Sequence, residues 1–368
     1  MISYGRQNIN KDDIGAVVKT LKSDWLTQGP KVLEFEKALA KYCGTRYAIA
    51  ISNGTSALHL AYLASGLKKG DEVITTPNTF VATSNMLLVV GAKPVFCDIR
   101  NDTYNINEKE IEKLINKKTK AIVVVHFAGQ PCEMKEIRKI AKKYKLIVIE
   151  DGCHALGAKY QGDKIGSCGY SEMAVFSFHA VKPITTGEGG AILTNNKKYY
   201  ERLISLRSHG IHKDKQGKNI MVELGYNYRM TDIQASLGIS QLTKLDKFIK
   251  KRRQVAQWYE TYLKDENNII LPKEVKGNYS GWHLYVIKTK KTEDRSKLFN
   301  YLRQKGVGVN LHYPAVYSHP YYRKNGYGKT KLENENKYQS SCITLPCFFS
   351  LTRAQVEQIA ELIKSYWR

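Results

Sequence analysis

Residues 46–66 read RYAIAISNGTSALHLAYLASG. The first third, RYAIAIS, is short, apolar and rich in Ile, as a buried strand is. The rest, TSALHLAYLASG, carries Leu and Ala at helical spacing. Asn53 and Gly54 stand between them. Gly54 permits a tight approach of the chain, and Asn53 or Thr55 is suited to cap the helix. This strand-turn-helix unit sets the pattern of the next 130 residues. DEVITTP (71–77) is followed by the helical TFVATSNMLLVVG (79–91), and KPVFCDI (93–99) and KAIVVVHF (120–127) are strands. The helix EMKEIRKIAKKY (133–144) comes next, then the strands LIVIED (146–151), MAVFSF (173–178) and GAILTN (190–195). Short apolar strands separated by amphipathic helices predict an α/β fold with a mainly parallel sheet. In such sheets ligands bind outside the carboxyl ends of the strands.

Residues 231–263 form one long helical pattern, TDIQASLGISQLTKLDKFIKKRRQVAQWYETYL, expected to contain or bridge a domain boundary. Beyond it lie a strand HLYVIKT (283–289), a helix DRSKLFNYLRQKG (294–306), a strand VGVNLH (307–312) and a last helix RAQVEQIAELIKSYW (353–367). The expected division is a large α/β domain over 1–245 and a smaller C-terminal α+β domain over 246–368, with the N-terminal segment free to pack on either.

The 368 residues are 42% hydrophobic and 25% charged, as in ordinary globular proteins. No apolar run reaches the length of a membrane span, and MISYGRQNINKDD lacks the pattern of a signal peptide. A cytoplasmic protein is expected. The seven cysteines are odd in number and form no C-x-x-C, so neither a disulfide framework nor a zinc ribbon is indicated. The formal charge of +24 comes from lysines spread along helix-like segments, with no basic tail and no basic-aromatic module. No nucleic-acid partner is expected; the charge favours capture of a phosphorylated substrate.

Three strand ends carry chemistry. In SNGTSAL (52–58) a strand runs into a helix whose free amides, with the Thr55 and Ser56 hydroxyls, suit a phosphate; the plain alternative is an N-cap. In LIVIEDGCHALGA (146–158) Glu150 and Asp151 close a strongly apolar strand, where a carboxylate needs a cation or hydrogen bonds. A protonated pyridine nitrogen is one such partner, a metal held by Glu150, Asp151 and His154 a second, and an ordinary turn carboxylate a third. In FSFHAVKPITTGEGG (176–190) Ser177 ends a strand and Lys182 follows before a glycine cluster, either as an incidental turn residue or as a desolvated amine able to form a Schiff base. Together the three supply a phosphate cup, a partner for a ring nitrogen and an amine, which are the groups pyridoxal phosphate needs.

These motifs, with SDWLTQGPKVLEFEKALAKYCG, GDEVITTPNTFVAT, GAKPVFCDI, GYNYRMTDIQASLG and LHYPAVY, resemble the DegT/DnrJ-type sugar aminotransferases nearly end to end. The resemblance implies fold type I of the PLP-dependent transferases and a homodimer with active sites shared between chains. It implies Lys182 as the Schiff-base lysine and Asp151 against the pyridine nitrogen. Thr55, Ser56 and Ser177 would hold the phosphate with Gly54 allowing its approach, His154 would lie near the ring hydroxyl, and Phe80 would stack on the ring. Asn227 would reach the phosphate of the partner subunit, and Arg229, His312 and Tyr313 would face the substrate. No metal is implied. FSFHAVKPITTGEGG and EDGCHALGA are most similar to the branch acting on a UDP-linked 4-keto-6-deoxy-N-acetylhexosamine in pseudaminic acid biosynthesis. Glutamate is the implied donor. A dTDP-linked substrate, or a sensor that kept the fold, are the alternatives.

Overall fold

The computed structural model describes residues 1–368. Its centre is a seven-stranded sheet of β1 (Tyr47–Ile51), β2 (Glu72–Thr75), β3 (Lys93–Phe96), β4 (Thr119–Val125), β5 (Ile147–Asp151), β6 (Met173–Ser177) and β7 (Gly190–Thr194). The spatial order is β1-β7-β6-β5-β4-β2-β3. β7 runs antiparallel to both neighbours and every other pairing is parallel. The carboxyl ends of β1, β5 and β6 therefore share one edge.

Burial on both faces explains the continuous apolar strands. Ala48, Ala50, Ile122, Val124, Val148, Ala174 and Phe176 enter one core. Their neighbours Ile49, Ile51, Ala121, Val123, Ile149, Met173 and Val175 enter the other. Helices α3 (Gly54–Ala64), α4 (Ala82–Val89) and α6 (Lys197–Arg207) cover the second face; α2 (Pro30–Cys43), α5 (Met134–Tyr144) and α7 (Asp232–Leu242) cover the first. α1 (Lys11–Leu21) packs on α7. The N-terminus of α2 is capped from 200 residues away. Gly29 offers no cap side chain, and the buried Asp232 carboxylate instead accepts the Gly29, Lys31 and Val32 amides at 2.9, 3.2 and 3.0 Å.

The single helix expected over 231–263 is two, α7 and α8 (Leu245–Leu263), broken at Thr243 and Lys244. The break lets each follow a different partner. α7 lies on α1 and α2, while α8 leads from the sheet's core, through Leu245, Phe248 and Ile249, into a further core through Val255, Ala256, Tyr259 and Leu263. That further core lies under β8 (Ile269–Ile270), β9 (Tyr285–Thr289) and β10 (Cys342–Leu345), α9 (Thr292–Gln304) and α10 (Arg353–Tyr366). The expected strand over 307–312 does not form. Only isolated bridges occur, Val307 with Ile2 and Asn310 with Thr344, so VGVNLH joins the N-terminal segment to the edge of β10. All seven cysteines are free thiols, and no helix is long and apolar enough to cross a membrane.

Candidate active site

The three strand ends converge on a cavity of about 1030 Å³. Its lining includes Gly54, Thr55, Ser56, Phe80, Asp151, His154, Ser177, Lys182, His312 and Tyr313, ten of the expected site residues.

At the end of β1, Asn53 caps α3 by accepting the Ser56 amide at 2.8 Å. A Cβ on Gly54 would stand 2.9 Å from the Ser177 Cβ and 3.2 Å from its Oγ. Only glycine lets the start of α3 and the end of β6 meet so closely, which brings the Thr55 and Ser177 hydroxyls to one wall. The glycine cluster after Lys182 has matching causes. Gly187 has φ +79°, and a Cβ on Gly190 would lie 2.6 Å from the Asn53 carbonyl oxygen. Phe178 donates its amide to Gly189 O at 2.8 Å, and Thr186 donates its own to Phe178 O at 2.9 Å. The loop carrying Lys182 is thereby closed on itself.

At the end of β5, Asp151 is 5% exposed. Its Oδ2 accepts the Thr83 hydroxyl at 2.8 Å and its Oδ1 the Cys153 amide at 3.1 Å. Thr83 in turn accepts from the Thr79 hydroxyl at 2.9 Å. Glu150 points to the opposite face, where its carboxylate meets His126 Nε2 at 2.8 Å and accepts the Ser171 hydroxyl. Adjacent strand residues face apart, so Glu150, Asp151 and His154 cannot surround one metal ion.

Burial lowers the proton affinity of the Lys182 amine, the Cys153 thiol and Asp151 partly oppose this, and no side-chain hydrogen bond holds the charged form. Three imidazoles stand near it. His154 accepts the Ala128 amide on Nδ1 at 3.3 Å, so its Nε2 carries the hydrogen facing the Tyr313 hydroxyl at 3.2 Å. His312 contacts Thr344 Oγ1 at 2.8 Å. His283 lies 4.5 Å from His154, ring to ring, and its Nδ1 has no protein partner. Burial and then neighbouring positive charge depress all three, His312 to about 4, so all are neutral near pH 7. Phe80 precedes α4 on an open loop, 58% exposed, its ring 6.4 Å from that of Tyr313.

Asn227 and Arg229 do not line this cavity. Their segment pairs with the carboxyl end of β1, where Tyr228 O accepts the Ser52 amide at 2.8 Å and Arg229 bridges Ile51. Asn227 is exposed. The sequence reading missed Thr79, Thr83, His283 and Tyr4, which packs on His312 at 5.5 Å. Thr79 and Thr83 lie within the motif GDEVITTPNTFVAT, where Thr83 follows Phe80 by one helical turn, and these were their signals.

The profile of the DegT/DnrJ/EryC1/StrS aminotransferase family matches residues 7–364. The chain belongs to this family. It is 43% identical over 352 residues to the UDP-4-amino-4,6-dideoxy-N-acetyl-beta-L-altrosamine transaminase of Campylobacter jejuni (strain 81-176), covering 94% of this chain and 92% of the relative. Among solved structures it is similar to Helicobacter pylori PseC, an aminotransferase of pseudaminic acid biosynthesis, with TM-score 0.94, 36% identity, and 99% and 98% of the two chains covered. The PLP form of the sugar aminotransferase Spr1654 from Streptococcus pneumoniae also superposes with TM-score 0.94, at 29% identity and the same coverages. The fold is therefore that of the type I PLP-dependent transferases, and pyridoxal phosphate is the family's cofactor. The cavity suits it chemically, with hydroxyls at a helix N-terminus where Gly54 leaves room, a buried carboxylate, an exposed aromatic ring and an amine without a hydrogen-bonded acid.

Proposed function

We propose that the protein transfers the amino group of glutamate to C4 of a UDP-linked 4-keto-6-deoxy-N-acetylhexosamine, in pseudaminic acid or related bacterial surface-glycan biosynthesis. The relatives named above support the substrate class. The observation that carries the reaction is the desolvated Lys182 amine in the same cavity as Asp151 and Ser177.

When bound, pyridoxal phosphate supplies the electron sink for proton removal at the donor's α-carbon. The chain's residues do the rest. Thr55, Ser56 and Ser177 hold the phosphate. Asp151, fixed by Thr83 and the Cys153 amide, favours a proton on the pyridine nitrogen. Phe80 would stack on the ring, and His154, whose Nε2 meets the Tyr313 hydroxyl, would lie near the ring hydroxyl. Lys182 would hold the cofactor through its aldehyde. Once freed, its amine would take the proton from the donor's α-carbon and deliver it to the carbon that carried the cofactor aldehyde, and its lowered proton affinity keeps it available as a base. His312 and Tyr313 border the sugar. Neutral imidazole and phenol groups suit hydroxyls and an N-acetyl group, which carry no charge.

We place the active sites between two subunits, with Asn227 reaching the partner's phosphate site and Arg229 beside it. Trp25, Leu26, Leu33, Met221 and Leu224 are large apolar side chains left exposed in the single chain, which pairing of two copies would be expected to cover. The large domain is taken as 1–245 and the small one as 246–368. Incubation with glutamate and a panel of UDP- and dTDP-linked 4-keto sugars tests the proposal. Amination of a UDP-linked N-acetylhexosamine is expected; turnover confined to dTDP sugars refutes the substrate, and a coloured protein without turnover refutes the enzyme.

A further inference from the structure

A second cavity, of about 870 Å³, lies between α8 and the segment 272–282. No residue lines both it and the catalytic cavity. Its volume falls within the range of small-molecule sites, roughly 300–1,000 Å³. Lys247, Lys250 and Lys251 border it from α8 at i, i+3 and i+4 spacing, which puts them on one side of the helix. Lys273 faces them from the loop.

Acids do not neutralise this set. Asp246 is taken by the Tyr42 hydroxyl at 2.5 Å, and Glu274 by Arg253 at 2.5 Å. Lys251 reaches the Gln254 side chain at 3.1 Å and lies 4.1 Å over the Trp258 ring, and Lys247 lies 5.8 Å over Phe349; none of these partners is an acid. Glu260 is the one further carboxylate on the wall, against four ammonium groups. Like charges at i, i+4 work against a helix, so the arrangement costs the fold something unless an anion offsets it. Aromatic faces complete the wall. The Arg253 guanidinium sits 3.9 Å over the Tyr279 ring, and Trp282 borders the same space. Trp282 holds φ +43°, a left-handed conformation that a bulky residue adopts only where its surroundings enforce it.

We propose that this cavity binds a nucleoside diphosphate or triphosphate, with its phosphates against Lys247, Lys250, Lys251 and Lys273 and its base against Tyr279 and Trp282. Ammonium groups without acid partners recognise phosphate charge, and aromatic faces recognise a planar base. A space of about 870 Å³ suits one nucleotide, whereas a strand of nucleic acid needs a continuous groove. The site stands apart from the transamination reading and does not depend on it.

Calorimetric titration of the cofactor-loaded protein with ADP, at about 0.15 M salt where long-range charge effects are screened, tests the proposal. The variants are the triple Lys247→Glu, Lys250→Glu, Lys251→Glu and a control of equal charge change on another surface, Lys117→Glu, Lys118→Glu, Lys120→Glu. The site triple should weaken ADP at least about tenfold, from three lost phosphate contacts of ordinary strength, and the control should stay within about twofold. Inorganic pyrophosphate should bind more weakly than ADP, and Trp282→Phe should narrow that gap. Equal loss in both triples, or ADP binding untouched by the site triple, overturns the site. Pyrophosphate binding as tightly as ADP overturns the nucleotide assignment. A single-stranded oligonucleotide that outcompetes ADP and is weakened equally by both triples makes the charge a general polyanion surface, which also overturns it.

Discussion

Thr83→Val isolates the hydroxyl that holds Asp151. Valine keeps the shape of threonine, so the substitution removes one donor and little else. Thr83 is 1% exposed, so water does not replace the lost hydrogen bond. A hydrogen bond to a charged group contributes about 1.5–3 kcal/mol. If the carboxylate must keep its orientation in the transition state, the loss appears in rate, where 1.36 kcal/mol is tenfold, giving about 10- to 150-fold in kcat/KM. Only the Cys153 amide would still hold Asp151, and the Thr79 hydroxyl would lose its partner. Thr83→Ser keeps the donor and should stay within about threefold of wild type. Steady-state kinetics of Thr83→Val, Asp151→Asn and the double variant form a cycle. The Thr83 change should cost far less once Asp151 is neutralised. Additive effects, within about 0.5 kcal/mol, or equal damage from Ser and Val, would refute the role given to Thr83.

Asp232→Ala should destabilise the protein by about 1–3 kcal/mol, because a buried acid that accepts three amides at the start of α2 is lost; a denaturation midpoint unchanged by the substitution contradicts the capping role. His312 has its folded proton affinity lowered, to about 4 against an ordinary 6.5. Its neutral form therefore adds stability that is complete above pH 6.5 and is lost as pH falls toward 4. His312→Gln should flatten the thermal midpoint against pH within that window, and an unaltered slope relative to wild type counts against a buried neutral imidazole. Mixing inactive Lys182→Ala with a defective Asn227→Ala should restore activity after subunit exchange, and no recovery despite demonstrated exchange argues against shared sites.

The parallel sheet was legible because every strand is apolar on both faces and each motif sits where a strand stops. Of the ten expected residues that line the cavity, Gly54, Asp151 and Lys182 stood out for the same reason, beside punctuation that only a crowded strand end requires. Glu150 and Asp151 could have been separated by strand alternation alone, since one must face away when the other faces the ligand. The break at Thr243 and Lys244 was hidden, because the periodicity continues across it and only the change of packing partner ends α7. VGVNLH has a strand's composition but meets its neighbours at single bridges, a tertiary outcome absent from its own residues. His283 belongs to no motif, and Thr83 closes the motif GDEVITTPNTFVAT without any feature that singles it out. Their role follows from what faces them across the cavity, His154 in one case and Asp151 in the other, and neither contact is local in sequence.

The central claim is that Lys182 is the amine that carries the cofactor. Borohydride reduction of the coloured protein, followed by proteolysis and mass mapping, measures this directly. One phosphopyridoxyl label is expected, on the peptide containing Lys182, and none on that peptide when glutamate is added before reduction. A label on any other lysine, or a Lys182→Ala protein that is still labelled to the same extent, contradicts it.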